Sequence, residues 1–163
     1  MQYLNPGALL IRRPHAVANI IGNDTHPQLR GQVSFYQTNH GILVSVQVFG
    51  LPGSSFLGFH IHSGGQCAQP AGHYNPQGLP HPQHAGDLPP LLSNNGYAYM
   101  SVLTNRFRLE DILGRTVIIH AMPDDFTTQP AGDSGDRIAC GVITLYNAPV
   151  SRRSRPKTPD ATG

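Results

Sequence analysis

The sequence predicts an all-β domain. Three observations carry this: short runs alternate apolar and polar residues at period two, Gly, Asn or Pro bound most of these runs, and helical periodicity is almost absent. With 163 residues the chain is long enough for one domain with a real core. Gly at 18 and Pro at 15, with only 12% charged residues, predict many tight turns.

The elements follow in order. "AVANIIG" (16–22) and "GQVSFYQT" (31–38) read as strands. Ile42, Val44, Val46 and Val48 then alternate with Leu43, Ser45, Gln47 and Phe49, which gives one apolar face. "GFHIH" (58–62), "GYAYMSVLT" (96–104), "RTVIIH" (115–120) and "CGVITLY" (140–146) complete about seven strands, the pattern of a sandwich or barrel. Only "RLEDILG" (108–114) reads as helix, one or two turns stopped by Gly114. No internal repeat is visible.

Two stretches break the pattern. Residues 63–95 and 121–136 are long, rich in Gly and Pro and poor in strand formers. Loops of that length in a compact domain are usually functional or disordered, and a disordered linker is not expected to hold His73, His81, His84 and Asp87. The tail "SRRSRPKTPDATG" (151–163) reads as basic and disordered, and residues 1–14 as an N-terminal extension, leaving a domain at 15–150.

Charge narrows the function classes. The formal net charge is +2, but residues 1–150 carry 7 basic and 8 acidic side chains, so no nucleic-acid surface is indicated. No apolar run reaches the length of a membrane span. "MQYLNPGALLIRRPH" has too short an apolar core, with its arginines after that core, so it is not read as a signal peptide. A cytoplasmic location is the expectation, with export open if a leader has been removed. Cys67 and Cys140 allow one disulfide without fixing the compartment.

The histidines carry the chemistry. In a strand, His60 and His62 share one face and Phe59 and Ile61 the other, the core face. An isolated His-x-His is more often a pair of exposed strand residues than a metal site. "GHYNPQGLPHPQHAGD" changes the balance, because His73, His81, His84 and Asp87 are three imidazoles and one carboxylate, a complete tetrahedral set for zinc. His120 ends "TVIIH" and opens the second long loop. Of nine histidines, six lie in these segments; His15, His26 and His40 are left without a role.

Taken together, "GFHIH", Cys67, "GHYNP", "HAGDL", "VIIH" and "GDSGDRIACGVI" (132–143) resemble the copper,zinc superoxide dismutase family in order and spacing, over roughly residues 15–147. "HSGGQC" and "GDLPPLLSNNG" are similar to its bacterial branch. The resemblance implies an eight-stranded antiparallel Greek-key β-barrel, an immunoglobulin-like sandwich with two long functional loops. It implies copper ligands at His60, His62, His73 and His120, and zinc ligands at His73, His81, His84 and Asp87, with His73 bridging the metals. It further implies a Cys67–Cys140 disulfide, an arginine beside the copper at Arg137, and a carboxylate at Asp124 that links ligands of the two metals, Asp125 being its close neighbour.

The implied reaction is disproportionation of superoxide to dioxygen and hydrogen peroxide, with His73 supplying a proton and Arg137 orienting the anion. The resemblance leaves monomer and homodimer both open. The chief competing reading is a non-enzymatic copper- and zinc-binding protein on the same fold, which retention of all seven ligand positions argues against. A hydrolytic zinc enzyme would need an open coordination position and a general base, and no Glu accompanies the histidines. One departure stands out: in "HPQH", His81 and His84 are only three residues apart where the family has a longer excursion. Pro80 and Pro82 stiffen the segment. The expectation is a zinc site that survives in a trimmed loop with less protein covering it.

Overall fold

The computed structural model describes residues 13–147. The predicted basic tail at 151–163 and residues 1–12 of the predicted extension lie outside the described residues. Nine strands form among the described residues: β1 Ala16–Gly22, β2 Arg30–Thr38, β3 Gly41–Phe49, β4 Phe56–Leu57, β5 Phe59–His62, β6 Leu91–Leu92, β7 Tyr97–Thr104, β8 Thr116–His120 and β9 Arg137–Leu145. A single helical turn, Leu109–Ile112, is the one helix among the described residues, where "RLEDILG" places it.

Seven strands make one curled antiparallel sheet in the order β5-β8-β9-β1-β2-β3-β7. The remaining two, β4 and β6, pair with each other, Phe56 opposite Leu92 and Leu57 opposite Leu91. Because β4 runs into β5 through Gly58 alone, β4 and β5 are one bent strand, which makes eight strands of the nine. A strand pairs with its sequence neighbour through β1, β2 and β3, and the chain then crosses over to β4, the non-consecutive order of a Greek key. The fold is the Greek-key barrel expected from the resemblance.

Alternation decides what is inside. Along β3, Ile42, Val44, Val46 and Val48 are buried while Phe49 and Gln47 are exposed. β2 and β7 flank β3 in unbroken register, Gly41 opposite Thr38 to Phe49 opposite Arg30 on one side and Ile42 opposite Thr104 to Phe49 opposite Tyr97 on the other. Each fully buried Val, Ile or Phe contributes about 1.5–3 kcal/mol relative to exposure. Phe35, Val44, Val46, Phe59, Ile61, Val117, Ile119 and Ile143 join in a single core.

β5 departs from simple alternation. Phe59 and Ile61 enter the core as predicted, yet His60 and His62 on the opposite face are buried too. The cause is the 63–95 segment, which folds back along the outer edge of β5. Tyr74 N donates to Ile61 O (2.8 Å), Ile61 N to Gly86 O (2.9 Å), and Ser63 N to Gly72 O (2.8 Å). An edge strand presents unpaired backbone groups, and here the long loop satisfies them. The same segment contributes β6, which its Gly- and Pro-rich composition concealed.

Candidate metal centre

The backbone pairing delivers the ligands. Folding of the long loop onto β5 sets His62 opposite His73 and His60 opposite Asp87 as antiparallel bridge partners. His120 arrives from the next strand, since β8 pairs with β5. A β-bulge at Ile119/His120 then brings His120 opposite Arg137, the first residue of β9. Bulges re-aim side chains at the ends of strands, and this one lies at the mouth of the site.

Two sets of side chains converge. His60, His62, His73 and His120 form one, and His73, His81, His84 and Asp87 the other, with one potential ligand atom per residue within 4.8 Å of all others in its set. His73 belongs to both. In the second set, Nδ1 of His73 lies 2.7 Å from Asp87 Oδ1, and Nδ1 of His81 and of His84 lie 3.1 and 3.2 Å from Asp87 Oδ2. In the first, Nε2 of His62 and Nε2 of His120 are 3.3 Å apart. For metal–nitrogen bonds near 2.0 Å, the edge of a ligand tetrahedron is about 3.3 Å. The donor atoms are already spaced for ions.

The opposite ring nitrogens fix the tautomers. His60 Nε2 donates to Asp124 Oδ2 (2.7 Å), His81 Nε2 to Asp124 Oδ1 (2.9 Å), His62 Nδ1 to Ala71 O (2.8 Å) and His120 Nδ1 to Gly135 O (3.1 Å). A neutral imidazole with one N–H so engaged turns its lone pair the other way. Among the described residues, four buried ring nitrogens have no hydrogen-bond partner: His60 Nδ1, His73 Nε2, His81 Nδ1 and His84 Nδ1. Buried polar atoms are ordinarily paired, so orphans converging on two points are what vacant lone pairs for metal ions look like. The residues fit both copper and zinc.

Burial keeps His60, His62 and His120 neutral. Desolvation, with repulsion from the neighbouring histidines, pushes His60 down to about 2. His62 falls to about 3 for the same first reason, against a hydrogen bond to Ala71 O. His120 falls to about 4 by burial, opposed by its bond to Gly135 O. The charge of Arg137 adds to the lowering of both His62 and His120. At Asp87, burial works upward, but the His73 hydrogen bond and the charges of His73, His84 and His81 hold the carboxyl below its ordinary value. His60, His62, His120 and Asp87 are thus in the protonation states that metals require.

Residues 29–143 match the family model described as copper/zinc superoxide dismutase. The chain belongs to the copper/zinc superoxide dismutase family. It is 36% identical over 140 residues to copper–zinc superoxide dismutase 2 of Aquifex aeolicus, covering 74% of this chain and 82% of that one. It is 39% identical over 129 residues to the enzyme of Legionella pneumophila (72% and 79% of the two chains) and 35% identical over 136 residues to that of Photobacterium leiognathi (69% and 78%). As in a copper/zinc superoxide dismutase, the copper set is His60, His62, His73 and His120, and the zinc set His73, His81, His84 and Asp87.

Cys67, Cys140 and Asp124 also tie segments around the site together. Cys67 and Cys140 are joined by a disulfide that ties the metal-bearing loop to β9. Asp124, not Asp125, carries the link between ligand sets: it is buried between His60 and His81, while exposed Asp125 turns to Thr127 and Thr128. Gly132 makes room for that link. Its φ is +68°, and a Cβ there would collide with both Asp124 Oδ1 and His81 Nε2.

The trimmed zinc loop requires one correction. The site does survive the short "HPQH" spacing, but it is not thinly covered: His81 is 3% exposed and His84 5%. Segment 121–136 supplies part of the covering, with Asp124 bonded to the His81 ring and Gln129 to the His81 backbone. The Arg106 guanidinium supplies more by donating to the carbonyls of Pro82, His84 and Asp87 (3.4, 3.3 and 3.1 Å). Arg106, Gln129, and the carbonyls of Ala71 and Gly135 were missed in the sequence. Backbone acceptors carry no sequence signal, and neither side chain belongs to a ligand motif.

Proposed function

We propose that this superoxide dismutase works with Arg137 guiding the anion and Asp124 holding the two ligand sets in register. The observation that carries the reading is the membership of His73 in both sets. When bound, copper supplies one-electron exchange with superoxide and zinc a redox-inert positive charge, so that two superoxide anions and two protons give dioxygen and hydrogen peroxide. His60, His62 and His120 enter as neutral donors whose orientation is fixed beforehand by Asp124, Ala71 and Gly135. Prearranged donors need little reorganisation. Nε2 of His73, buried without a hydrogen-bond partner on the copper side, is the atom placed to hold and release a proton there.

Arg137 supplies the guiding charge. It lies across the ladder from His120 and lines an open cavity of about 580 Å³ with Asn23, His26, Gly135 and Asp136. Segment 121–136 has four aspartates and no Lys or Arg, so Arg137 is the cation of that rim. Its backbone is held by Asn23, whose Nδ2 donates to Arg137 O (2.9 Å). A fixed cation in a cleft raises the local concentration of a small anion.

The test is metal analysis and superoxide consumption on the same sample. The reading predicts one copper and one zinc per chain with rapid loss of superoxide. Both metals bound without activity above a free-copper control would leave a metal-binding protein on this fold.

A further inference from the structure

We propose that Gln129 is a positioning residue for zinc, its side-chain amide fixing His81 from outside the loop that carries it. The inference rests on the zinc assignment of His73, His81, His84 and Asp87. His81 N donates to Gln129 Oε1 (2.9 Å), and Gln129 Nε2 donates to His81 O (2.7 Å). One primary amide thus closes on both backbone polar groups of a single residue, as a neighbouring strand would. From the same segment, Asp124 Oδ1 accepts from His81 Nε2 at 2.9 Å. Backbone and ring are held together, which leaves Nδ1 facing Asp87 Oδ2 at 3.1 Å.

The trimmed loop explains why an outside hold is needed here. The other half is braced within the loop as well as by Arg106: Asp87 Oδ2 accepts from His84 N (3.0 Å), and Asp87 N donates to His84 O (3.2 Å). His81 has no such partner within its loop. It lies between two prolines, which bring no N–H of their own, and the nearby turn bond runs past it from Gln83 N to Pro80 O (2.8 Å). Among the described residues, both backbone hydrogen bonds of His81 go to Gln129. With only two residues between His81 and His84, an error in the His81 backbone is carried directly into the zinc set.

The test uses the full chain and the variants Gln129→Glu and Gln129→Ala. The first keeps size but replaces the donor to His81 O by a carboxylate oxygen; the second removes both bonds. Four quantities are measured: zinc release to excess chelator, the visible absorption of cobalt(II) placed in the zinc set, copper retention, and the melting temperature of the metal-free chain. Loss of an outer partner of a metal ligand costs about ten-fold or more in metal affinity. Expected are zinc release about ten-fold faster and a weakened, shifted cobalt(II) band, with copper retention unchanged and only a small fall in metal-free melting. Zinc release at the wild-type rate in both variants overturns the proposal, as does faster release accompanied by equal copper loss and a large fall in metal-free melting. Failure of the unaltered chain to bind zinc is a separate result, which overturns the zinc assignment and this proposal with it.

Discussion

His120 and Arg137 face each other across the β8–β9 ladder, at the bulge where the pairing register shifts. One strand end therefore offers a metal-binding imidazole and the other a permanent cation. The proximity is also electrical, since the arginine charge lowers the His120 pKa further below what burial and the neighbouring His73 achieve.

Arg137 is not a ligand, so Arg137→Ala is expected to retain copper and zinc. Its loss should lower kcat/KM for superoxide by about ten-fold at low ionic strength, with the difference shrinking as salt screens the charge. Unchanged kinetics at low salt would remove the guiding role.

Asp124 touches both ligand sets, but the two are braced differently. His60 lies in β5, fully buried, whereas His81 lies in a loop. Asp124→Asn leaves one acceptor for two ring N–H groups and turns an NH2 toward the other. Zinc affinity is expected to drop about ten- to hundred-fold while copper is retained more firmly. Titration against a chelator of known affinity reads this directly; equal weakening of both metals would contradict the asymmetry.

The Cys67–Cys140 bond links residues 73 apart in sequence. Closing a loop of that size stabilises the fold by about 4 kcal/mol in the chain-entropy picture. Reduction should therefore lower the melting temperature by roughly 10 °C for a chain of this size. Equal melting with and without reductant would argue against the linkage.

The buried histidines give a pH signature in the metal-free chain. Burial holds His60 near 2, His62 near 3 and His120 near 4, while the unfolded chain takes up protons around the ordinary value of 6.5. Folded values below unfolded ones mean stability that is full above about pH 6.5 and is lost as pH falls toward 4 and below. Asp87, held low, acts in the same direction at more acidic pH. Thermal melts of the metal-free protein should fall steadily over that window; a flat profile would mean the imidazoles are already charged in the fold.

Much of this was legible in the sequence, for specific reasons. The alternation from Ile42 to Phe49 marks β3 because one face is buried and the other is not. His60 and His62 share a face by strand geometry, and the seven ligand positions stand in recognisable motifs. The burial of that face was not legible. It depends on residues 72–87 pairing with the edge of β5 through backbone groups, which any sequence could offer. Nor did the sequence tell that β9 begins at Arg137: the "GDR" portion lacks strand formers, and its pairing with β8 comes from the bulge at His120. The firmness of the trimmed zinc loop escaped for a similar reason, because Gln129 and Arg106 act from distant segments through bonds to carbonyls.

His73 belongs to both metal sites. Placing copper(II) in the first set and cobalt(II) in the second, and recording the copper electron paramagnetic resonance, tests it most directly. If one imidazole joins the ions, their spins couple through it and the copper signal disappears when cobalt is added. A copper signal that persists at full intensity with both sites filled would contradict the shared ligand and the paired site built on it.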